Sequence, residues 1–497
     1  MLDFARAARY VAGANQKGDV TSTSWTLLLD AIDGVDVVVA GEHAPISEAA
    51  IGALFPGRTR RSEARWDGPA PEVAIVARAT EVTPELVGPA TTVVRVGDVA
   101  AGAGVAMVPD PVWHDMAVRS LQVPFAPSER DDSGVLARGT RALQRLATRL
   151  GAPPAPVART SAVGVGTGNL ERGSTITFAP GRDARDLPAY VRRIAAEGGV
   201  PLDGRPWSMV PAADYWSQKG LFVLPPDLVV KVSRHPAFAP RLANEYEALE
   251  FVAGTQWGER HAPAPRFAGY EGALVVVGEE LVDGAPLEDV PELSPTSPSL
   301  RAALDAVHEL GASTRADAPL GEVADALSDL VGRYEQLAGL PTDARAVLDA
   351  DIEKVAAGVS VATHGDVTPW NLVVRRSGEI VFFDWENFEQ AGMPGWDVVV
   401  LVQTAASTAW SRKGKRYTAA VLVDQLLGAE GSPWRRLLVA EVASALHAVD
   451  IGDDVVMPTV RLCLVFQALK ETTRHPSGHR GLYSKAVEQA ASLGVRA

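Results

Sequence analysis

The chain has 497 residues, of which 47% are hydrophobic and 22% charged, and it carries a formal net charge of -14. That length exceeds what one ordinary core organises and predicts two or three domains. The acid excess argues against nucleic acid or an anionic membrane as the main partner, because a phosphate-rich surface calls for a basic face; a local basic pocket for one nucleotide is still compatible with it.

The opening MLDFARAARYVAGANQ lacks the basic start and apolar core of a signal peptide. The longest apolar run, DVVVLVQTAASTAW, is shorter than a bilayer span. The expectation is a cytoplasmic protein with no membrane span. VDVVVAGE (35–42), EVAIVAR (72–78) and TTVVRVGDV (91–99) read as buried strands, with a helix-like ISEAAIGALF between the first two. Such a series predicts a parallel sheet covered on both faces, a Rossmann-like α/β domain over residues 1–160. Its VDVVVAGEHAPISEA stretch resembles class I methyltransferases in the order strand, turn, helix. A working dinucleotide-type site has a glycine-rich first turn, and here only Gly41 is present. The expectation is a degenerate domain used for docking or acceptor recognition, with a bifunctional methyltransferase-kinase as the alternative.

GAPPAPVART (151–160) marks a linker by its proline content. Beyond it, a small lobe is expected over 161–282 and a larger, mostly helical one over 283–497. LFVLPPDLVVKVSR (221–234) reads as a hairpin and RLANEYEALEFV (241–252) as a helix. No internal repeat is visible. The one cysteine, Cys463, sits in the apolar run VRLCLVFQAL, cannot form an internal disulfide, and is expected to be a buried thiol. His114, His475 and His479 do not form a metal set, since Pro476 interrupts the helix that the last two would need.

Residues 363–371 read THGDVTPWN and are followed by LVVRRSGEIVFFDWE. A hairpin turning at Ser377-Gly378 through two residues pairs Arg376 with Glu379, Val374 with Val381 and Leu372 with Phe383. One step further, Asn371 faces Asp384, with Cα atoms roughly 5 Å apart. An amide oxygen and a carboxylate brought to one point suit Mg²⁺ on a nucleotide phosphate. Asp366, five residues before Asn371 on a loop stiffened by Pro369, stands where a base for an attacking hydroxyl belongs.

HGDVTPWN and FFDWE resemble the catalytic loop HGDxxPxN and the strand-ending D-x-E motif of the aminoglycoside phosphotransferase and choline kinase group, whose fold is protein-kinase-like. The resemblance implies that Asp366 is the catalytic aspartate, that Asn371 and Asp384 hold Mg²⁺, and that His364 braces the loop. Glu386 then assists a metal or fixes the loop, and Asp397 in MPGWDVVVLV matches the aspartate that anchors it.

In such a fold a strand lysine grips the α and β phosphates and pairs with a helix glutamate. Lys231 in DLVVKVSR is the candidate. Glu245, which shares a helix face with Leu242, Leu249 and Val252 while Glu247 projects away, is its expected partner. ALVVVGEELVDGAPL (273–287) corresponds to the strand and hinge, where backbone groups around Glu280 to Val282 would meet adenine. Of two candidate phosphate loops, SMVPAADYWSQKG (208–220) leads directly into the lysine hairpin; AVGVGTGNLERG (162–173) lies too far upstream and reads as a turn-rich segment. The expected activity is transfer of the γ-phosphoryl group of ATP or GTP to a small-molecule hydroxyl. TPWN is similar to relatives associated with surface-polysaccharide genes, which makes a sugar or glycoconjugate the preferred acceptor and glycan-biosynthesis enzymes the expected partners. A nucleotide-binding pseudokinase scaffold is the rival reading, raised by the glycine-poor loop.

Overall fold

The computed structural model describes residues 37–40, 59–62, 73–77, 92–96, 162–166 and 173–177, then 187–494 with gaps at 206, 211–218, 234–235, 292, 357, 429–430 and 475–480. These residues fall into two compact units. One holds residues 37–242 and Arg266–Leu281, the other Ala243–Pro265 and residues 282–494.

The first unit contains two sheets. Strands β1 (Val37–Ala40), β2 (Thr59–Ser62), β3 (Val73–Ala77), β4 (Thr92–Val96), β5 (Ala162–Gly166) and β6 (Gly173–Thr177) lie in the order β2-β1-β3-β4-β6-β5. The three apolar runs form β1, β3 and β4, while the polar TRRS of β2 carries no strand signal in its sequence. Pairing is parallel from β2 through β4, as expected for continuous apolar runs. It turns antiparallel at β6, which pairs with both β4 and β5. The short connection between β5 and β6 permits only an antiparallel return. The sheet is therefore mixed rather than wholly parallel, it extends past the boundary expected near residue 160, and residues 162–166 and 173 of the glycine-containing stretch enter it as strand. Gly41, His114, His475, His479 and the helix expected at ISEAAIGALF lie outside the described residues.

The second sheet has the order β10-β11-β9-β8-β7, from β7 (Ser208–Val210), β8 (Lys219–Leu224), β9 (Leu228–Ser233), β10 (Pro265–Glu271) and β11 (Leu274–Glu280). The expected hairpin is β8–β9, paired antiparallel from Lys219–Ser233 to Leu224–Leu228. All six residues of β9 are buried, as befits the central strand. Helix α1 (Ala189–Glu197) buries Tyr190, Val191, Ile194 and Ala195. Gly269 admits Ile194, whose Cγ2 lies only 2.6 Å from where a Cβ would stand.

The second unit is mainly helical. It contains α2 (Ala239–Ala253) from Ala243 onward, α3 (Gln256–His261), α4 (Pro298–Ser313), α5 (Leu320–Ala338), α6 (Thr342–Val355), α7 (Trp396–Arg412), α8 (Ala419–Leu426), α9 (Pro433–His447), α10 (Val456–Arg474) and α11 (Leu482–Gly494). Two three-stranded sheets complete it: β12 (Ala285–Pro286) with β15 (Leu372–Val374) and β16 (Ile380–Phe382), and β13 (Ala316–Asp317) with β14 (Val359–Thr363) and β17 (Glu389–Gly392). The β-branched run of α7 would suit a strand. It is helical because every residue from Trp396 to Ala406 is buried, and a helix enclosed on all sides needs no polar face. Two charged clamps tie the helices. Arg301 of α4 grips Glu441 of α9 through both carboxylate oxygens, at 2.5 and 2.6 Å, and His308 Nε2 meets the same carboxylate at 2.9 Å. Arg461 of α10 holds Asp351 of α6 at 2.6 Å through two nitrogens. Cys463 is fully buried on α10, as expected, and burial pushes its thiol pKa up. Among the described residues no helix is long and apolar enough to cross a membrane.

Candidate active site

The loop after β14 is suspended from the first turn of α7. The Asp397 carboxylate accepts the backbone N–H of His364 at 2.7 Å and of Gly365 at 3.0 Å. Burial lifts the Asp397 pKa above the ordinary carboxylate range against the pull of those donors. Gly365 has φ +76°, and a Cβ there would stand 2.3 Å from the carbonyl oxygen of Asn387, so this turn requires glycine.

His364 is fully buried and packs against Trp385 with ring centroids 4.5 Å apart. Its Nδ1 receives the Asp366 N–H at 3.3 Å, so Nε2 carries the ring proton and donates to the Phe383 carbonyl at 3.2 Å. Burial lowers its pKa despite the nearby carboxylates Asp397, Asp366 and Asp384, and the imidazole is neutral. Its two ring nitrogens thereby link the loop to the strand end.

Asp366 is half-buried and Asn371 nearly fully so. The Asn371 side-chain nitrogen donates to the Asp366 carbonyl at 3.0 Å and to its Oδ2 at 3.2 Å. Both partners are acceptors, which fixes the amide orientation: Nδ2 is engaged with Asp366 and Oδ1 is turned elsewhere. The structure brings Asp366 and Asn371 together as the spacing predicts.

The hairpin differs from expectation by one residue. Leu372 pairs with Phe382, Val373 with Val381 and Val374 with Ile380, and the Phe383 N–H donates to the Asn371 carbonyl at 3.1 Å. Asn371 therefore stands opposite Phe383, not Asp384. The cause is the turn: Arg375 N–H bonds to the Glu379 carbonyl, leaving a three-residue loop closed by Gly378 at φ +89° instead of a two-residue one. Asp384 follows the pair in the left-handed region, at φ 71° and ψ 54°, and opens the short 3-10 turn Trp385–Asn387. A non-glycine residue held in that conformation re-aims its side chain at a local cost. Glu386 is half-buried in that 3-10 turn, and its carbonyl accepts from Asn244 of α2 at 3.2 Å.

Among the described residues no three His, Cys, Asp or Glu side chains gather to hold a metal unaided. One amide oxygen and one carboxylate is nonetheless the complement that Mg²⁺ accepts when nucleotide phosphates and water complete its shell. Asn371 and Asp384 fit that description.

In the other unit, Lys231 of β9 is 5% exposed and forms an ion pair with Glu279 of β11, Nζ to Oε1 2.5 Å. Glu279 was not singled out by sequence reasoning, although it lies within the quoted GEE. On α2, Glu245 is fully buried and Glu247 exposed, as the periodicity predicts. Glu280 ends β11 opposite Leu228, and the unit boundary falls between Leu281 and Val282. Of the candidate phosphate loop, residues 211–218 lie outside the described residues. Lys470 of α10 is a second residue that the motifs did not reveal: its Nζ donates to the Gly365 carbonyl at 3.1 Å and lies 3.6 Å from Asp366 Oδ1.

A buried histidine, a carboxylate beside an amide, and a following acid in left-handed backbone thus share one loop and the hairpin after it. Residues 210–438 match the model of the phosphotransferase enzyme family, APH, and this span contains the loop, the hairpin and Lys231. A comparison with curated proteins gives no match. Similar solved structures include the GDP complex of wild-type aminoglycoside 2'-phosphotransferase-IIIa, at 14% identity over 61% of this chain and 98% of that one, with a TM-score of 0.40. Others are aminoglycoside phosphotransferase APH(3'')-Id from Streptomyces rimosus with ADP and streptomycin (19%, 57% and 98%, 0.35) and a macrolide 2'-phosphotransferase from Brachybacterium faecium (18%, 52% and 97%, 0.34). At these identities and TM-scores the likeness says nothing about the acceptor of this chain.

Proposed function

We propose that the protein transfers the γ-phosphoryl group of ATP or GTP to a hydroxyl of a small molecule, with a sugar or glycoconjugate as the preferred acceptor class. The observation that carries this reading is the Asp366–Asn371 contact. The amide nitrogen is committed to Asp366, which leaves the amide oxygen for a cation, while the carboxylate remains half-exposed toward an incoming hydroxyl.

In this reading Asp366 receives the acceptor's proton, within reach of the hydroxyl and oriented by Asn371. Asn371 and Asp384 would hold Mg²⁺, which neutralises phosphate charge when bound. Lys231 supplies a cation to the α and β phosphates, and Glu279 is the acid that orients it. Backbone groups of Glu280 and Val282 take the base. His364 and Asp397 do no chemistry; they hold the loop whose carboxylate does. Glu386 shapes the turn that follows Asp384. The ADP and GDP named with the similar structures are in keeping with a nucleotide donor.

The test is incubation of the full chain with γ-labelled ATP or GTP, Mg²⁺ and a panel of hydroxyl compounds including sugars and aminoglycosides. Transfer of label to a hydroxyl, absent in Asp366→Asn, is the expected result. Nucleotide binding with neither transfer nor hydrolysis would instead make the chain a scaffold.

A further inference from the structure

Gly365 is held from both sides. Its N–H is taken by Asp397 at 3.0 Å and its carbonyl by Lys470 at 3.1 Å, and these two residues come from different helices. The Lys470 ammonium is also 3.6 Å from Asp366 Oδ1, while Oδ2 of the same carboxylate accepts from Asn371 at 3.2 Å. The two carboxylate oxygens are thereby fixed by two different side chains, which sets the plane of the group. Lys470 itself is held in place. Its side chain is 13% exposed, and its ammonium lies 5.4 Å from the Phe466 ring one helical turn earlier. Phe466 stacks in turn on Trp396, the neighbour of Asp397, at 4.9 Å.

We propose that Lys470 is a positioning residue of the phosphotransfer site, fixing the Gly365 peptide and the Asp366 carboxylate in the orientation that receives the acceptor hydroxyl. The inference rests on the reading of Asp366 given above. An ammonium has three donors and no acceptor, so it can serve a carbonyl and a carboxylate at once. Methionine at this place keeps much of the apolar stem and loses both contacts. Arginine keeps the charge and a forked set of donors, though not the same point geometry.

The experiment compares Lys470→Met, Lys470→Arg and Asp366→Asn with the wild-type chain, using Mg·ATP with water as acceptor and reading phosphate release. Lys470→Met should lower kcat by about 10- to 100-fold, a misplacement effect, while the KM for ATP stays within about twofold and Lys470→Arg recovers most of the rate. Hydrogen exchange of the peptide covering 363–371 reads the same positioning without turnover. It should quicken about tenfold or more in Lys470→Met if the Gly365 carbonyl contact holds the loop. Wild-type exchange in Lys470→Met overturns the proposal, whatever the activity. So does an unchanged kcat, or a loss in kcat that Lys470→Arg does not restore and that comes with a lowered Tm. If wild type and Asp366→Asn release phosphate alike, the phosphotransfer reading fails instead, and the exchange measurement still decides the positioning role.

Discussion

Lys231 and Glu279 are joined by an ion pair although they are not register partners. Lys231 lies opposite Val277, and Glu279 stands two residues further along β11 on the same face, a diagonal that long side chains can close. Both are almost fully buried. Removing one charge from such a pair leaves the other unsolvated, so Lys231→Met should destabilise the fold by about 3–5 kcal/mol. Lys231→Met with Glu279→Gln should recover much of that loss and still bind nucleotide poorly. Urea titration beside nucleotide titration separates the two effects; a double variant with wild-type affinity would remove Lys231 from the phosphate site.

Asp384 offers a cleaner separation of metal from fold. Asparagine tolerates the left-handed backbone, so Asp384→Asn should keep the wild-type Tm and lose Mg²⁺-dependent nucleotide affinity. Asp384→Val should in addition lose about 1–2 kcal/mol of stability from the backbone alone. Calorimetric titration with and without Mg²⁺ checks this, and Mg²⁺-dependence retained in Asp384→Asn would show that the metal sits elsewhere.

For Asp366→Asn the expected outcome is nucleotide affinity near wild type and a kcat reduced by about 10²- to 10⁴-fold, the usual contribution of a positioned base. Steady-state kinetics on the true acceptor decides it.

Gly365→Ala should be the most damaging small change in the loop. Its new methyl would meet the Asn387 carbonyl at 2.3 Å, in a conformation that L residues avoid. A stability loss of about 1–2 kcal/mol from the conformation alone, before any steric shift, is expected, with activity falling further than stability. Urea unfolding and turnover measured on the same preparation would show it.

The α4–α9 clamp makes stability pH-dependent. Burial alone would raise the Glu441 pKa, but hydrogen bonds from His308 and Arg301 outweigh it and hold the carboxyl at about 2 against an ordinary 4.5. A depressed carboxylate contributes stability above its unfolded pKa and loses it as pH falls through the folded one. About 2–3 kcal/mol should therefore disappear between pH 4.5 and about 2. Glu441→Gln should flatten that part of the curve, and equal acid sensitivity in both proteins would argue against the clamp.

The candidate loop was legible because its residues are close in sequence. Asp366 and Asn371 lie five residues apart in one loop and meet there, and Asp384 follows in the next hairpin. The register was misread because Gly378 closes a three-residue turn, and glycine is compatible with either turn length. Lys470 could not be found by motif, since it reaches the loop from 105 residues away. Glu279 was hidden by diagonal pairing, which alternation along one strand does not reveal. The run after Asp397 carries a strand's composition and is a helix through enclosure. In the first sheet the apolar runs announced β1, β3 and β4, whereas β2 and the β5–β6 hairpin are too polar or too glycine-rich to stand out.

The burial of Cys463 also makes the chain its own reporter. Its Sγ is buried on α10, 3.8 Å from the Trp396 carbonyl at the start of the helix that suspends the 364–366 loop. A maleimide or a colorimetric disulfide reagent can reach that sulfur only when this helical packing opens. The modification rate of the native chain therefore measures how often the scaffold under the candidate site comes apart, with no background from a second thiol. Cysteines introduced at exposed Tyr270 or Trp370 would accept a fluorophore or spin label while Cys463 stays silent.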